Sequence, residues 1–228
     1  MKISILTLFP QMFNGPFDYS IVKKAKERNL LEIEFVNIRD FGIGKHKIVD
    51  DKPYGGGVGM VMRVDVLAKA IEQTRCDKSA KCKEKVILLD PGGKVFNQKK
   101  AKSLSRLNHI IMVCAHYEGV DERVRKLIDE EISIGDYILT GGELPAMVVV
   151  DAVARLIPGV LKKKEATLLE SFSENLLEYP QYTRPEKFKD FKVPKILLGG
   201  NHKEILNWKK DEALKKTKKQ RPDLLEKR

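Results

Sequence analysis

The stretch Ser133-Ile-Gly-Asp-Tyr-Ile-Leu-Thr-Gly-Gly-Glu-Leu-Pro-Ala-Met147 places glycines and a helix start where chemistry could use them. A β-type run from Ile132 to Leu139 is cut by Gly135, ends at Gly141-Gly142 and reopens as a helix with Pro145 in its first turn. Glycine lets bare backbone approach a ligand, and a helix start leaves amide N–H groups unpaired. Such an element offers backbone donors and acceptors to something small and flat. It lacks the Lys-Ser/Thr of a P-loop and the G-x-G-x-x-G of a dinucleotide fold, which argues against a polyphosphate guest. Taken alone, it is also the shape of ordinary strand–turn–helix punctuation.

Arg155 sits on the helix that follows. A guanidinium fork suits an oxygen that gains charge, and a helix-surface ion pair is the bland alternative. Glu118 reads alone as a surface carboxylate, and His116 as a polar group without a proton-transfer role. The loop Gly42–Met60 holds Asp50-Asp-Lys-Pro-Tyr-Gly-Gly-Gly-Val-Gly59, where Tyr54 among glycines suits a lid over a base. Three cysteines, Cys76, Cys82 and Cys114, lack C-x-x-C spacing. They predict reduced, cytoplasmic thiols with no disulfide frame and no metal site.

The elements that must position these residues read as α/β. Lys2–Phe9, Leu31–Ile38, Lys85–Leu89, His109–Cys114 and Glu131–Leu139 predict strands by β-branched content and bounding turns. Helical patterns lie at Asp18–Arg28, Val64–Arg75, Asn97–Arg106, Asp121–Ile128 and Leu144–Ile157. This alternation indicates a mostly parallel sheet covered on both faces. The pattern changes after Pro158-Gly-Val160, giving a domain over 1–160, a flexible linker over 161–173 and a small helical domain over 174–228. Its long helix starts at Asn201, with Glu204 at capping-box spacing. A tail this small predicts docking onto the body or onto a second subunit.

The chain of 228 residues carries a net charge of +11, of which +7 falls in residues 161–228. A basic tail on a nearly balanced body suits either a polyanionic partner or a solvated surface. The apolar start Met1–Phe9 is too short for a membrane span and lacks a cleavage site, so it reads as a first strand of a cytoplasmic protein.

Four strings resemble one family: Cys114-Ala-His-Tyr-Glu-Gly-Val-Asp-Glu-Arg-Val124, Ser133–Met147, Asp151-Ala-Val-Ala-Arg-Leu-Ile-Pro-Gly-Val160 and Tyr182-Thr-Arg-Pro-Glu186. With Asp50–Gly59 and Gly200-Asn-His202 they are similar, in order and over nearly the whole chain, to the bacterial tRNA (guanine-N1)-methyltransferases of the SPOUT class, the TrmD family. The resemblance implies a parallel sheet with a deep trefoil knot, an exception to the unknotted rule. It also implies a homodimer with sites at the subunit interface and S-adenosylmethionine as methyl donor. The implied substrate is tRNA with guanine 3′ of the anticodon, at position 37, and another guanine before it.

N1 of guanine must lose its proton as it attacks the methyl, and charge collects on O6, so a base and a cationic donor are needed. By resemblance, backbone groups of Ile134, Gly135, Asp136, Tyr137, Ile138 and Leu139 hold the adenine, Gly141 and Gly142 permit close approach, and Pro145 belongs to the same cofactor site. Pro91 and Gly93 line the same pocket; Ala115, Tyr117 and Glu118 face the ribose and methionine portions. Arg155 stabilises O6. Glu170 stands where the family has Asp, so it is the implied base, its extra methylene placing the head group roughly 1 Å farther out. Ala115 stands where the family has Gly. Lys162, Lys163, Lys164, Lys209, Lys210, Lys215, Lys216, Lys218 and Lys219 would track phosphates, with Arg184, Asn201 and His202 as closer RNA contacts. The guanine would be flipped from its stack. Any Mg2+ accompanies the RNA or the reacting groups. The rival readings are a SPOUT methyltransferase of ribosomal RNA and an RNA-binding protein that has lost its chemistry.

Overall fold

Alternate side chains along Ile3-Ser-Ile-Leu6 leave the backbone on opposite sides, and each side meets its own hydrophobic cluster. The computed structural model describes residues 1–77, 82–161 and 170–226. The chain divides into two compact units, Met1–Lys162 and Lys163–Arg228.

The first unit runs β1 (Lys2–Thr7), α1 (Ser20–Glu27), β2 (Glu32–Asn37), the short β3 (Asp50–Asp51) and β4 (Val61–Met62), and α2 (Val64–Thr74). It continues with β5 (Glu84–Val95), α3 (Gln98–Leu104), β6 (His109–Cys114), β7 (Glu130–Ser133) and α4 (Glu143–Ala154). Five strands form one parallel sheet in the order β2-β1-β6-β5-β7, with Ile5 of β1 opposite Phe35 of β2 and Met112 of β6. β6 is buried along its whole length. Its Ile110, Met112 and Cys114 join Ile87 and Leu89 of β5 in a cluster covered by α1, α3 and α4. Ile111 and Val113 join Val86 and Leu88 on the other face, under Val66, Leu67, Ala70 and Ile71 of α2. Each such buried aliphatic side chain contributes about 1.5–3 kcal/mol. The predicted parallel α/β sheet with helices on both faces is what forms.

Three elements differ from the sequence expectation. β7 ends at Ser133, and Ile134–Leu139 is loop, because Ser133 turns the chain there. Its Oγ donates to the Gly135 carbonyl at 3.0 Å and accepts from the Gly135 N–H at 3.2 Å, with Gly135 at φ 152°. β5 runs on past Leu89 through a bulge, since Leu89 and Lys94 both pair with Ile132. The helix expected over Asp121–Ile128 is a 3-10 turn at Glu122–Lys126, capped by Asp121, whose side chain accepts from the Arg123 N–H.

The thiols need a correction as well. Cys76, after α2, and Cys82, before β5, are joined as a disulfide, with their Cα atoms 6.4 Å apart. That spacing of Cα atoms suits such a bridge, and a sequence separation of six does not need C-x-x-C spacing. Cys114 is the free thiol, fully buried.

The second unit holds a small antiparallel hairpin, β8 (Lys187–Phe188) with β9 (Phe191–Lys192), then α5 (His202–Gln220) and α6 (Asp223–Glu226). The hairpin is an addition to the helical tail read from the sequence. Asn201 caps α5 by accepting from the Glu204 N–H at 3.4 Å. Thr217 Oγ1 accepts from the Leu177 N–H at 2.8 Å and donates to the Ala213 carbonyl at 2.7 Å, fixing residues 170–178 against the helix. Among the described residues, no helix is long and apolar enough to cross a membrane.

Candidate active site at the carboxyl ends of the sheet

Parallel strands end together, so the loops that follow β5, β6 and β7 must share one edge of the sheet. Ligands of open α/β sheets bind at that edge. Here the three loops enclose a cavity of about 270 Å³ lined by Leu89–Pro91, Ala115–Gly119, Ile132–Gly135, Tyr137–Gly142 and Pro145.

The β6 loop turns sharply, with Tyr117 at φ 58° and Gly119 at φ 102°. It is held from both sides. The Gly142 N–H donates to the Ala115 carbonyl at 3.0 Å, and the Glu118 N–H donates to the Met60 carbonyl at 3.0 Å. Met60 closes the long glycine loop, so Asp50–Gly59 is anchored beside the cavity while Tyr54 at its tip is fully exposed. A Cβ on Gly59 would stand 2.5 Å from Glu118 Cγ.

Gly141 and Gly142 do something the sequence did not reveal. A Cβ on Gly142 would fall 2.6 Å from Cys114 Cα, and one on Gly141 would fall on the His116 ring. These glycines let two protein loops meet. The close approach that they allow is first of all between the β7–α4 loop and the end of β6.

Under that junction lies a polar chain absent from the sequence reading. Glu143, 1% exposed at the start of α4, accepts from Thr7 Oγ1 at 2.6 Å and meets His116 Nε2 at 2.7 Å. Thr7 Oγ1 in turn accepts from the Phe9 N–H at 2.9 Å. A carboxylate in the first turn of a helix is favoured by the helix dipole. The helix start after Gly141-Gly142 was visible in the sequence; the partner of Glu143, 136 residues away, was not. A second fastener is Arg125, which pairs with Glu131, with Glu122 at 2.8 Å and with Asp90 at 3.6 Å. These carboxylates hold its guanidinium above the usual arginine range, Glu131 first among them.

The cavity wall carries unused donors. The N–H groups of Ile138, Leu139, Thr140 and Gly141 have no hydrogen-bond partner among the described residues. Tyr137 folds back instead, its hydroxyl donating to the Ile134 carbonyl at 3.3 Å. Four consecutive donors beside apolar Leu89, Ile132 and Pro145 suit a flat heteroaromatic ring that accepts in its plane.

Of the cofactor-binding residues expected from the sequence, Pro91, Ala115, Tyr117, Glu118, Ile134, Gly135, Tyr137, Ile138, Leu139, Gly141, Gly142 and Pro145 line this cavity. Gly93 and Asp136 do not. Gly93 sits against β7, where a Cβ would come 2.5 Å from the Ile132 nitrogen, and Asp136 is exposed. Ala115 both lines the cavity and packs on the α2-side cluster.

Arg155 is not at the cavity. It caps the far end of α4, half-buried, ten residues beyond Pro145. That is about 15 Å along the axis at 1.5 Å per residue. Glu170 belongs to the second unit, half-buried, its carbonyl accepting from the Ser173 N–H at 3.1 Å.

In the second unit, Lys209 Nζ lies 4.5 Å from the Tyr179 ring centroid, Lys215 pairs with Glu212 at 2.8 Å, and Lys216 donates to the Glu178 carbonyl. Asn201 is occupied as a helix cap, while Arg184 and His202 are exposed. Lys162, Lys163 and Lys164 lie outside the described residues.

The family model described as tRNA (Guanine-1)-methyltransferase TrmD matches residues 1–227. The chain belongs to the TrmD family. It is 56% identical over 227 residues to the tRNA (guanine-N(1)-)-methyltransferase of Dictyoglomus turgidum, covering 100% of this chain and 91% of that protein. The protein of the same name from Carboxydothermus hydrogenoformans is 56% identical over 99% of this chain and 87% of its own length. That from Pelotomaculum thermopropionicum is 55% identical over 99% and 90%. As a TrmD-family member the chain is a methyltransferase enzyme.

Proposed function

We propose that this enzyme transfers the methyl group of S-adenosylmethionine to N1 of the guanine that follows the anticodon of tRNA, at position 37. The observation that carries the reading is the cavity at the carboxyl ends of β5, β6 and β7, built by the motifs that also carry the family match. S-adenosylmethionine supplies an electrophilic methyl on a sulfonium. The backbone donors of Ile138–Gly141 and the apolar wall hold its adenine, and the Glu118 carboxylate at the cavity rim favours its positive charge. The loop after β7 folds back over β6, Gly142 to Ala115, while β7 itself lies across β5. That return supports the trefoil knot of the SPOUT class.

The reaction needs a base at N1 and a cation at O6. Glu170 is the base, taking the N1 proton on its carboxylate, and Arg155 donates to O6 as charge gathers there. Arg155 cannot reach the cavity of its own chain, given the length of α4 between them. A homodimer resolves this by presenting Arg155 of one protomer to the cavity of the other. α4 supports that pairing. Its inner face is packed, yet Leu144 and Val148, one turn apart, are about half exposed. The basic second unit tracks the RNA phosphates, and Tyr54 covers the flipped base.

The test is transfer of radiolabelled methyl to tRNA bearing or lacking that guanine, with the modified base identified by mass spectrometry. Label in 1-methylguanine at position 37, absent from tRNA lacking the guanine, is expected. Label in ribosomal RNA alone, or binding of donor and tRNA without transfer, would replace this reading by one of its rivals.

A further inference from the structure

The opposite end of the sheet holds a second constellation of chemical groups. Cys76 follows α2, Cys82 precedes β5, Glu84 opens β5 and His109 opens β6. One donor atom from each, Sγ, Sγ, a carboxylate oxygen and Nδ1, lies within 4.8 Å of the others. His109 is 2% exposed.

The protons decide what this cluster wants. Ser4 Oγ donates its single hydrogen to Glu34 Oε2 at 2.7 Å. It lies 2.9 Å from His109 Nε2, so it accepts there, and Nε2 carries the imidazole hydrogen. In the neutral ring, Nδ1 then presents a lone pair. It faces Glu84 Oε2 at 2.9 Å and Cys76 Sγ at 3.4 Å. That Glu84 oxygen also accepts from the Cys76 N–H at 2.6 Å, and facing lone pairs on Nδ1 and the carboxylate need a positive centre between them, a proton or a metal ion. The disulfide brings no charge to this point, but reduction of Cys76–Cys82 adds two groups that ionise beside a carboxylate.

We infer that the reduced chain binds one zinc ion through Cys76, Cys82, His109 and Glu84. Zinc takes four such ligands at about 2.0–2.3 Å, which sets donor atoms roughly 3.3–3.8 Å apart, and the Cys76–His109 spacing already fits. The outer partners fit too. Ser4, itself bonded to Glu34, orients His109, and Arg75 holds the second Glu84 oxygen at 3.2 Å. Two electrons from a phosphine open the S–S bond, giving two thiols and the phosphine oxide with water supplying oxygen and protons. Zinc then displaces both thiol protons. The site lies some five strand residues from the cavity, about 17 Å, and so serves the fold by clamping the end of α2 and the start of β5 to β6.

The test uses untagged full-length protein, reduced with a water-soluble phosphine, freed of reductant and metal under anaerobic conditions, and titrated with Co2+. One equivalent per chain with a sulfur-to-cobalt charge-transfer band, displaced by Zn2+ with release of about two protons, is expected. Cys82→Ser should weaken zinc binding by more than about a hundredfold. The oxidised wild-type protein, which needs no substitution to fold, should show no band. A reduced protein without the band, or an oxidised protein that binds as tightly as the reduced one, overturns the assignment.

Discussion

Glu143 of α4 and His116 of the β6 loop meet at 2.7 Å beneath the floor of the cavity, although 27 residues separate them. The pair joins the β6 loop to the start of α4, two of the cavity's walls, and Thr7 extends it to the end of β1. Glu143→Ala leaves a buried hydroxyl and an imidazole without their acceptor. We expect a loss of about 2–3 kcal/mol, visible in urea unfolding, and weaker binding of S-adenosylmethionine by calorimetry. Unchanged stability in this variant would show that the buried contact is idle.

The two adjacent glycines should not respond alike. A methyl on Gly141 meets the tip of a histidine ring, which can turn, whereas one on Gly142 meets the Cys114 backbone, which cannot. Gly142→Ala is expected to lower donor affinity at least tenfold, and Gly141→Ala less. Equal affinities in the two variants would refute this ranking.

The separation of Arg155 from its own cavity can be tested by mixing. Arg155→Ala and Gly142→Ala are each expected to be nearly inactive as homodimers. Random heterodimers would contain one intact site in half of the dimers, restoring about a quarter of wild-type methyl transfer, because isologous pairing crosses the two lesions. No restoration after verified subunit exchange would mean that each chain builds its own site.

Glu170 is expected to tolerate shortening but not neutralisation. Glu170→Asp should keep or raise single-turnover methylation, and Glu170→Gln should nearly abolish it. Full activity of the amide variant would move the base to another group.

Cys114 gives a pH prediction. Burial pushes its thiol well above the usual range, with Glu143 nearby adding to the shift. A group whose folded pKa is raised contributes stability that is fully present below its unfolded value, about 8.5, and is lost as pH rises beyond it. Stability should therefore fall above that pH, and Cys114→Ala should flatten the slope despite the small cavity it opens. Native Cys114 should also resist alkylation until the chain unfolds; ready labelling of the folded protein would contradict its burial.

Some of this was legible in the chain itself. The β-branched, apolar runs in Lys2–Thr7 and His109–Cys114, bounded by turns and separated by helical periods, determine a parallel sheet covered on both faces, because composition and side-chain period are local properties. The ordered motifs marked nearly all of the cavity wall, since a loop that must bend sharply at a strand end keeps its glycines in the sequence. Tertiary structure alone decided what those glycines touch. It brought Glu143 to Thr7 across 136 residues, moved Gly93 against β7, and set Arg155 a helix length from the cavity. It also gathered two cysteines, a glutamate and a histidine at the other end of the sheet. Distances between groups far apart in the chain depend on how strands are ordered and helices laid over them, and that order is settled by packing rather than by any local pattern.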